Sequence, residues 1–122
     1  MKILYIGLGG FLGAVSRYFA SKYVNAFFGD RIPLGTVFVN ITGSFILGFL
    51  YVLSIEKLSI SDDLRLFIGV GFLGAYTTFS TFSVEFVNLL SDGSYLSAGL
   101  YWIFNVIFSI IFAFLGIYLA RL

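Results

Sequence analysis

Apolar residues run along this chain in four long stretches, which three short polar connections separate. The stretches cover about residues 3–27, 34–55, 64–90 and 95–120. Each is longer than the roughly 20 mostly apolar residues that a helix needs to cross a bilayer. The pattern therefore predicts an all-α membrane protein with four transmembrane helices in one domain that covers residues 1–122.

The third stretch differs from an ordinary spanning helix in its middle. Glycines stand at positions 69, 71 and 74, and the run Thr-Thr-Phe-Ser-Thr-Phe-Ser follows at 77–83. Glycine has an entropic cost in a helix, and Ser and Thr side chains offer the backbone alternative hydrogen bonds. In hydrocarbon, irregular backbone is tolerated only where protein buries it or where it lines a wet cavity. We therefore predict that the third helix is broken mid-membrane, over Gly74–Thr77, and that the functional centre lies there.

The second and fourth predicted helices each carry one stripe of polar or small residues on an otherwise apolar surface. Residues spaced by four lie on the same face of a helix. Such a stripe is either a surface for interhelical hydrogen bonds, each worth about 1 kcal/mol, or the wall of a polar path. The members are Thr36, Asn40, Ser44 and Gly48 in the second helix, and Ser97, Tyr101, Asn105 and Ser109 in the fourth.

Composition excludes several classes of function. Charged residues make up only 11% of the chain and its net charge is +1, without a basic cluster, so nucleic-acid binding is not expected. The chain contains neither Cys nor His. Thiol nucleophiles, zinc sites of the Cys/His kind and imidazole proton relays are therefore absent, and we expect a protein that is not an enzyme.

The remaining polar groups are mainly hydrogen-bond donors, and this favours a small anion as the partner of the polar stripes. They comprise the Asn40 amide, several hydroxyls and Arg17, which lies well inside the first apolar stretch. A cation pore would need acidic rings or converging carbonyls. The ring edges of Phe79 and Phe82 carry the positive part of the aromatic quadrupole and can face an anion.

Each of these residues also has a purely structural interpretation. Asn40 can form an interhelical hydrogen bond instead of binding an ion. Arg17 can extend to the membrane interface instead of facing a vestibule. Glu85 can approach the far interface, and Phe79 and Phe82 can belong to a stripe that only packs against neighbouring helices.

The distribution of basic residues bears on orientation. Topology follows the excess of Lys and Arg on the cytoplasmic side, and here that excess is nearly absent. A chain without this bias can insert in both directions and pair as an inverted dimer. One side carries Lys2, Lys57, Arg65 and Arg121, and the other carries Arg17, Lys22 and Arg31.

Several motifs resemble those of the bacterial fluoride channel family, Fluc, which is also called CrcB. They are Gly-Ala-Val-Ser-Arg-Tyr at 13–18, Gly-Thr-Val-Phe-Val-Asn at 35–40 with Gly-Ser-Phe at 43–45, Gly-Phe-Leu-Gly at 71–74, and the Thr-Thr-Phe-Ser-Thr-Phe-Ser run at 77–83. These motifs occur in order along the first three predicted helices. The last of them is the most specific.

The resemblance implies an antiparallel, dual-topology homodimer with two fluoride pores and a structural sodium ion at the dimer axis. It makes Phe79 and Phe82 an aromatic box, with Ser80 beside them, and Asn40 a pore donor. It further implies that the backbone carbonyls of Gly74 and Thr77 hold the sodium ion. Tyr101 and Ser109 would belong to a polar track, and Arg17 and Glu85 would be associated with the pore.

One residue departs from the pattern of the family. Position 105 holds Asn, where a smaller hydroxyl residue is expected, and this changes either the polar track or its hydration.

The function implied by the resemblance is passive export of fluoride across the bacterial inner or plasma membrane, which protects the cell from fluoride toxicity. An anion that leaves a cell with a negative interior gains about 2.3 kcal/mol per 100 mV, so no fuel is needed. Two alternatives remain. A dual-topology, proton-coupled transporter of the multidrug type would need Glu85 as its membrane-embedded carboxylate, and in a structural membrane subunit the polar stripes would only join helices.

Overall fold

A computed structural model of the chain describes residues 1–29 and 31–122. In these ranges, four helical segments are long and apolar enough to span a membrane, which confirms the four predicted spans. They are α1 (Lys2–Phe28), α2 (Leu34–Tyr51, continued by the π-helical turn Val52–Glu56), α3 (Asp62–Arg65, the π-helical stretch Leu66–Leu73, and Gly74–Tyr76) followed by α4 (Phe79–Ser91), and α5 (Tyr95–Arg121).

Helices α2 and α3 each begin where a side chain accepts a hydrogen bond from a free N–H group. Ser61 caps α3, since its Oγ accepts a hydrogen bond of 3.2 Å from the Leu64 N–H. The start of α2 lacks a cap of its own at Pro33. Instead, the Asn25 side chain of α1 accepts a hydrogen bond of 2.8 Å from the Gly35 N–H. The capping amide therefore ties the C-terminal end of α1 to the N-terminal end of α2.

Glycines let two pairs of helices approach closely. In α1, a Cβ atom at Gly9 or Gly13 would collide with the backbone of α3 around Phe67 and Phe72. In the same way, a Cβ at Gly48 of α2 would collide with the backbone of Ala113 in α5. Small residues at such crossings replace side-chain packing with close contact between backbones, as is common in membrane helices.

The helical path is interrupted between α3 and α4. Thr77 and Thr78 have extended backbone, with φ and ψ of −84° and 159° and of −152° and 123°. Gly74 remains helical, so the interruption lies at the C-terminal end of the predicted stretch Gly74–Thr77 and one residue beyond it.

Hydroxyl groups stabilise this interruption from both sides. The Thr77 Oγ1 donates to the Leu73 carbonyl at 3.0 Å, and the Thr78 Oγ1 accepts from the Thr81 N–H at 3.2 Å. Thr78 is therefore the N-cap of α4. Thr78 starts α4 because its side chain replaces a missing backbone acceptor, whereas Thr77 adds a second hydrogen bond to the Leu73 carbonyl, which also accepts from the Thr77 N–H.

The buried residues form two clusters, one on each side of the interruption. Val39, Leu50, Leu73 and Tyr76 form the cluster before it. Val37, Phe82 and Tyr101 form the cluster beyond it. Because α2 contributes to both clusters, it holds α3 and α4 in a fixed relation to each other.

Candidate functional site

Two cavities with several polar lining residues lie beside the interruption, and Thr78 lines both. The first cavity, of about 310 Å³, lies between α2, α4 and α5. Its lining consists of Asn40, Ser44, Thr77, Thr78, Phe79, Phe82, Asn105, Val106, Ser109 and Ile110. The second cavity, of about 300 Å³, is lined by Arg17, Tyr18, Ser21, Lys22, Asn25, Thr36, Thr78, Thr81 and Glu85.

Asn40 of α2 clamps the interrupted backbone. Its Oδ1 accepts a hydrogen bond of 2.8 Å from the Thr78 N–H, and its Nδ2 donates to the Thr78 carbonyl at 3.0 Å. The second N–H of the same amide donates to Asn105 Oδ1 at 2.8 Å. Asn40 therefore makes interhelical hydrogen bonds, as one of its two sequence interpretations required, while it also lines the first cavity.

Asn105 is the buried partner of Asn40 on α5. It is only 5% exposed. Its Nδ2 donates to the Tyr101 carbonyl at 3.0 Å, one helical turn earlier. The sequence placed Asn105 in the polar stripe of the fourth helix and marked it as a departure from the resembled pattern, and the structure makes it a direct neighbour of the Asn40 clamp.

Glu85 is held by two hydroxyl groups from different helices. Its Oε1 accepts hydrogen bonds of 2.6 Å from Thr36 Oγ1 of α2 and from the Tyr101 hydroxyl of α5. Lengths of 2.5–2.7 Å are typical of hydroxyl donors to a carboxylate. Glu85 thus joins three helices beside the second cavity, a role that the sequence did not indicate.

Arg17 lies at the same cavity and contacts the end of α3. Its Nε donates to the Ala75 carbonyl at 3.0 Å. A guanidinium group at a helix C-terminus satisfies a free carbonyl and interacts favourably with the helix dipole. Arg17 lines the second cavity together with Lys22, which supplies a second cation.

The two aromatic candidates differ in their surroundings. Phe82 is 5% exposed and its ring centroid lies 5.6 Å from that of Tyr101. Phe79 is 77% exposed, with its centroid 5.6 Å from that of Phe82 and the planes inclined at 58°. Phe82 therefore forms part of the cavity wall, whereas Phe79 stands at the rim.

The two serine candidates also separate. Ser109 lines the first cavity, and its buried Oγ has no hydrogen-bond partner among the residues that the structure describes. Ser80 is exposed and lies outside the linings of both cavities, with its Oγ 3.4 Å from Thr78 Oγ1. Ser109 is therefore a lining residue of the first cavity whose hydroxyl is unpaired, whereas Ser80 belongs to neither lining.

The carbonyls of Gly74 and Thr77 lose the partners that a continuous helix would provide. The Thr78 N–H, four residues after Gly74, donates to Asn40. The Thr81 N–H, four residues after Thr77, donates to Thr78 Oγ1. Within the described ranges, no cluster of three or more acidic side chains forms an alternative metal site.

Tyr76 was not among the residues predicted from the sequence, although it directly precedes the interruption. Its hydroxyl lies 3.0 Å from Thr42 Oγ1. Because Thr42 Oγ1 donates its own proton to the Phe38 carbonyl at 2.7 Å, Tyr76 is the donor in this pair. The bond fixes the end of α3 against α2.

Comparison with known proteins gives a consistent family assignment. The model of the family described as CrcB-like protein, Camphor Resistance (CrcB), matches residues 4–117. A protein of Trichormus variabilis named fluoride-specific ion channel FluC is 47% identical over 96% of this chain and 86% of its own length. Proteins of the same name from Syntrophotalea carbinolica and from a Sulfurihydrogenibium species are each 46% identical over 99% of this chain and 98% of their own length. The chain is a multi-pass membrane protein and belongs to the CrcB family.

Proposed function

We propose that this chain is a fluoride-selective channel, rather than an enzyme, that exports fluoride passively. The relatives that share its full length are named as fluoride-specific channels. The observation that carries the proposal is the pair of cavities that share Thr78 as a lining residue and contain hydrogen-bond donors on both sides of the interruption. Such a path suits a small, strongly hydrated anion, because hydroxyl and amide donors can replace its water.

The charges of the second cavity support entry of an anion. Arg17 and Lys22 face a single carboxylate, Glu85, which already accepts two hydroxyl protons. A cavity with excess positive charge raises the local concentration of anions. We propose that it is the vestibule through which fluoride reaches Thr78.

Beyond Thr78, the ion would pass the wall of the first cavity. The unpaired Ser109 hydroxyl is available there as a donor. The ring edges of Phe82 and Phe79 would add weak electrostatic stabilisation. With a negative cell interior, the outward ion gains about 2.3 kcal/mol per 100 mV, so the path needs no coupled proton.

We further propose that two chains pair in antiparallel orientation. In a single chain Phe79 is 77% exposed at the rim of the first cavity, and a second chain would cover that side. The nearly equal numbers of Lys and Arg on the two sides, four against three, agree with insertion in both directions. Lipid of the bacterial inner or plasma membrane would cover the remaining apolar surface.

The chemistry of the interruption fits a structural sodium ion. The Gly74 and Thr77 carbonyls, freed from helical hydrogen bonds, are hard oxygen donors without charge. In hydrocarbon, unpaired carbonyls are costly, and a cation shared by two inverted copies would satisfy them. When bound, the ion would neutralise carbonyl dipoles at the dimer axis.

Reconstitution into liposomes tests the function. Vesicles loaded with potassium fluoride or potassium chloride are treated with valinomycin, and the released anion is read with an ion-selective electrode. We expect rapid fluoride efflux and chloride efflux no faster than from protein-free vesicles. Equal release of both anions would refute selectivity. The multidrug-type transporter would instead show no fluoride efflux. It would show drug-driven proton movement, and Glu85→Gln would abolish that movement.

A further inference from the structure

In this structure, the Asn40 amide has no free donor for an ion. One of its N–H groups donates to the Thr78 carbonyl and the other to Asn105 Oδ1. Its oxygen accepts from the Thr78 N–H. An amide has two N–H donors, so both are used.

The orientation of both amides follows from backbone groups of fixed polarity. The Thr78 N–H can only donate and its carbonyl can only accept, which determines the positions of Oδ1 and Nδ2 in Asn40. In the same way, the Tyr101 carbonyl requires the Nδ2 of Asn105. Asn105 must therefore present its oxygen to Asn40, and its second N–H forms no hydrogen bond among the described residues.

We propose that Asn105 acts as an internal competitor of fluoride. In the empty pore, its Oδ1 accepts from Asn40 Nδ2. During passage, the ion replaces that oxygen at the Asn40 N–H, while the remaining N–H of Asn105 is free to donate to the ion. Asn105 is thus a specificity-determining residue, and this role rests on the proposed channel function.

The other bonds of the clamp allow this exchange. Asn40 stays attached to Thr78 through two hydrogen bonds when Asn105 leaves, so its orientation does not depend on Asn105. Both amides line the first cavity, so the released oxygen can move without leaving it. An anion is a stronger acceptor than a neutral amide oxygen, and this favours the exchange when fluoride arrives.

Replacement of Asn105 by a residue without this acceptor should increase the apparent affinity for fluoride. In Asn105→Ser the shorter hydroxyl can bond to the Tyr101 carbonyl one turn earlier, and Asn105→Ala has no polar group. An interhelical hydrogen bond in a membrane protein is worth about 1 kcal/mol, so the half-saturating fluoride concentration should fall about fivefold. In Asn105→Asp the added negative charge should reduce efflux to the level of protein-free vesicles.

The experiment measures initial fluoride efflux from proteoliposomes over a range of fluoride concentrations. Asn88→Ser is the matched control, since Asn88 is exposed on α4 and lines neither cavity. A lower half-saturating concentration in Asn105→Ser and Asn105→Ala, with the maximal rate retained, supports the exchange. If both variants have the half-saturating fluoride concentration of wild type, with or without a lower maximal rate, Asn105 is purely structural and the inference is overturned. If wild type itself does not prefer fluoride to chloride, it is the proposed function that fails.

A measurement on wild type covers the case in which the variants do not fold. Protein labelled with ¹⁵N-asparagine is titrated with sodium fluoride, with sodium chloride as the control, and side-chain amide signals are followed by NMR. Exchange predicts that the signals of Asn40 and Asn105 move together with fluoride and stay unchanged with chloride. A fluoride-dependent shift that leaves Asn105 unchanged would overturn the inference.

Discussion

The Tyr101 hydroxyl of α5 donates a hydrogen bond of 2.6 Å to the Glu85 carboxylate of α4. The same carboxylate oxygen accepts from Thr36 of α2 at 2.6 Å. Two hydroxyls therefore hold the Glu85 carboxylate in one position beside the second cavity, which Arg17 and Lys22 also line. In the proposed pathway, an anion at this point would meet a carboxylate whose field these two donors reduce.

Tyr101→Phe removes one of these donors while keeping the ring. We expect slower fluoride efflux, because Glu85 then repels the ion more strongly, and a loss of about 1 kcal/mol in unfolding free energy. Efflux from proteoliposomes and thermal unfolding in detergent measure the two effects. Tyr118→Phe is the control, since Tyr118 is 57% exposed on the same helix. Wild-type efflux in Tyr101→Phe would show that the bond to Glu85 does not affect the pore.

Asn40→Asp tests the clamp and the charge of the first cavity together. An aspartate can still accept from the Thr78 N–H but cannot donate to the Thr78 carbonyl or to Asn105. We expect fluoride efflux to be suppressed, because a fixed negative charge repels the ion and two donors are lost. Asn88→Asp makes the same chemical change at an exposed position and should behave as wild type. Unchanged efflux in Asn40→Asp would remove Asn40 from the pathway.

The aromatic candidates can be separated by their different surroundings. Phe82→Ile should slow fluoride efflux and also lower stability, because Phe82 packs on Tyr101 and Phe86 inside the chain. Phe79→Ile should slow efflux while leaving the thermal stability of the chain nearly unchanged, since Phe79 is 77% exposed. Phe114→Ile, at a position 70% exposed on α5, is the control. Full efflux in both Phe79→Ile and Phe82→Ile would exclude an aromatic contribution to permeation.

The close crossing of α1 and α3 predicts a sharp difference between two glycines. Gly13→Ala adds a Cβ that collides with the Phe72 backbone, whereas Gly7→Ala meets no described atom within 4 Å. Overpacking of this kind costs about 1–3 kcal/mol, so Gly13→Ala should unfold at a lower temperature. Gly7→Ala should equal wild type or be slightly more stable, because alanine favours helix. Thermal unfolding of the two variants is monitored by size-exclusion chromatography. Equal stability of Gly13→Ala and Gly7→Ala would contradict the close crossing of α1 and α3.

The membrane class, the four spans and the polar residues inside them could all be predicted from the sequence alone. These properties follow from local patterns: the length of apolar runs, the spacing of polar residues by four, and the cluster of hydroxyls after Gly74. The sequence also predicted a break over Gly74–Thr77, since threonine side chains compete for backbone hydrogen bonds within a few residues.

The pairing of the polar groups with one another depends on how the helices pack in the folded chain. The bonds of Asn40 to Thr78 and Asn105, and of Glu85 to Thr36 and Tyr101, join helices that are far apart in the chain. A stripe on one helix specifies a face, but the partner of each group depends on how the other helices cross that face. For this reason the sequence alone allowed Asn40 to be a free donor, whereas in the folded chain both N–H groups of its amide donate hydrogen bonds.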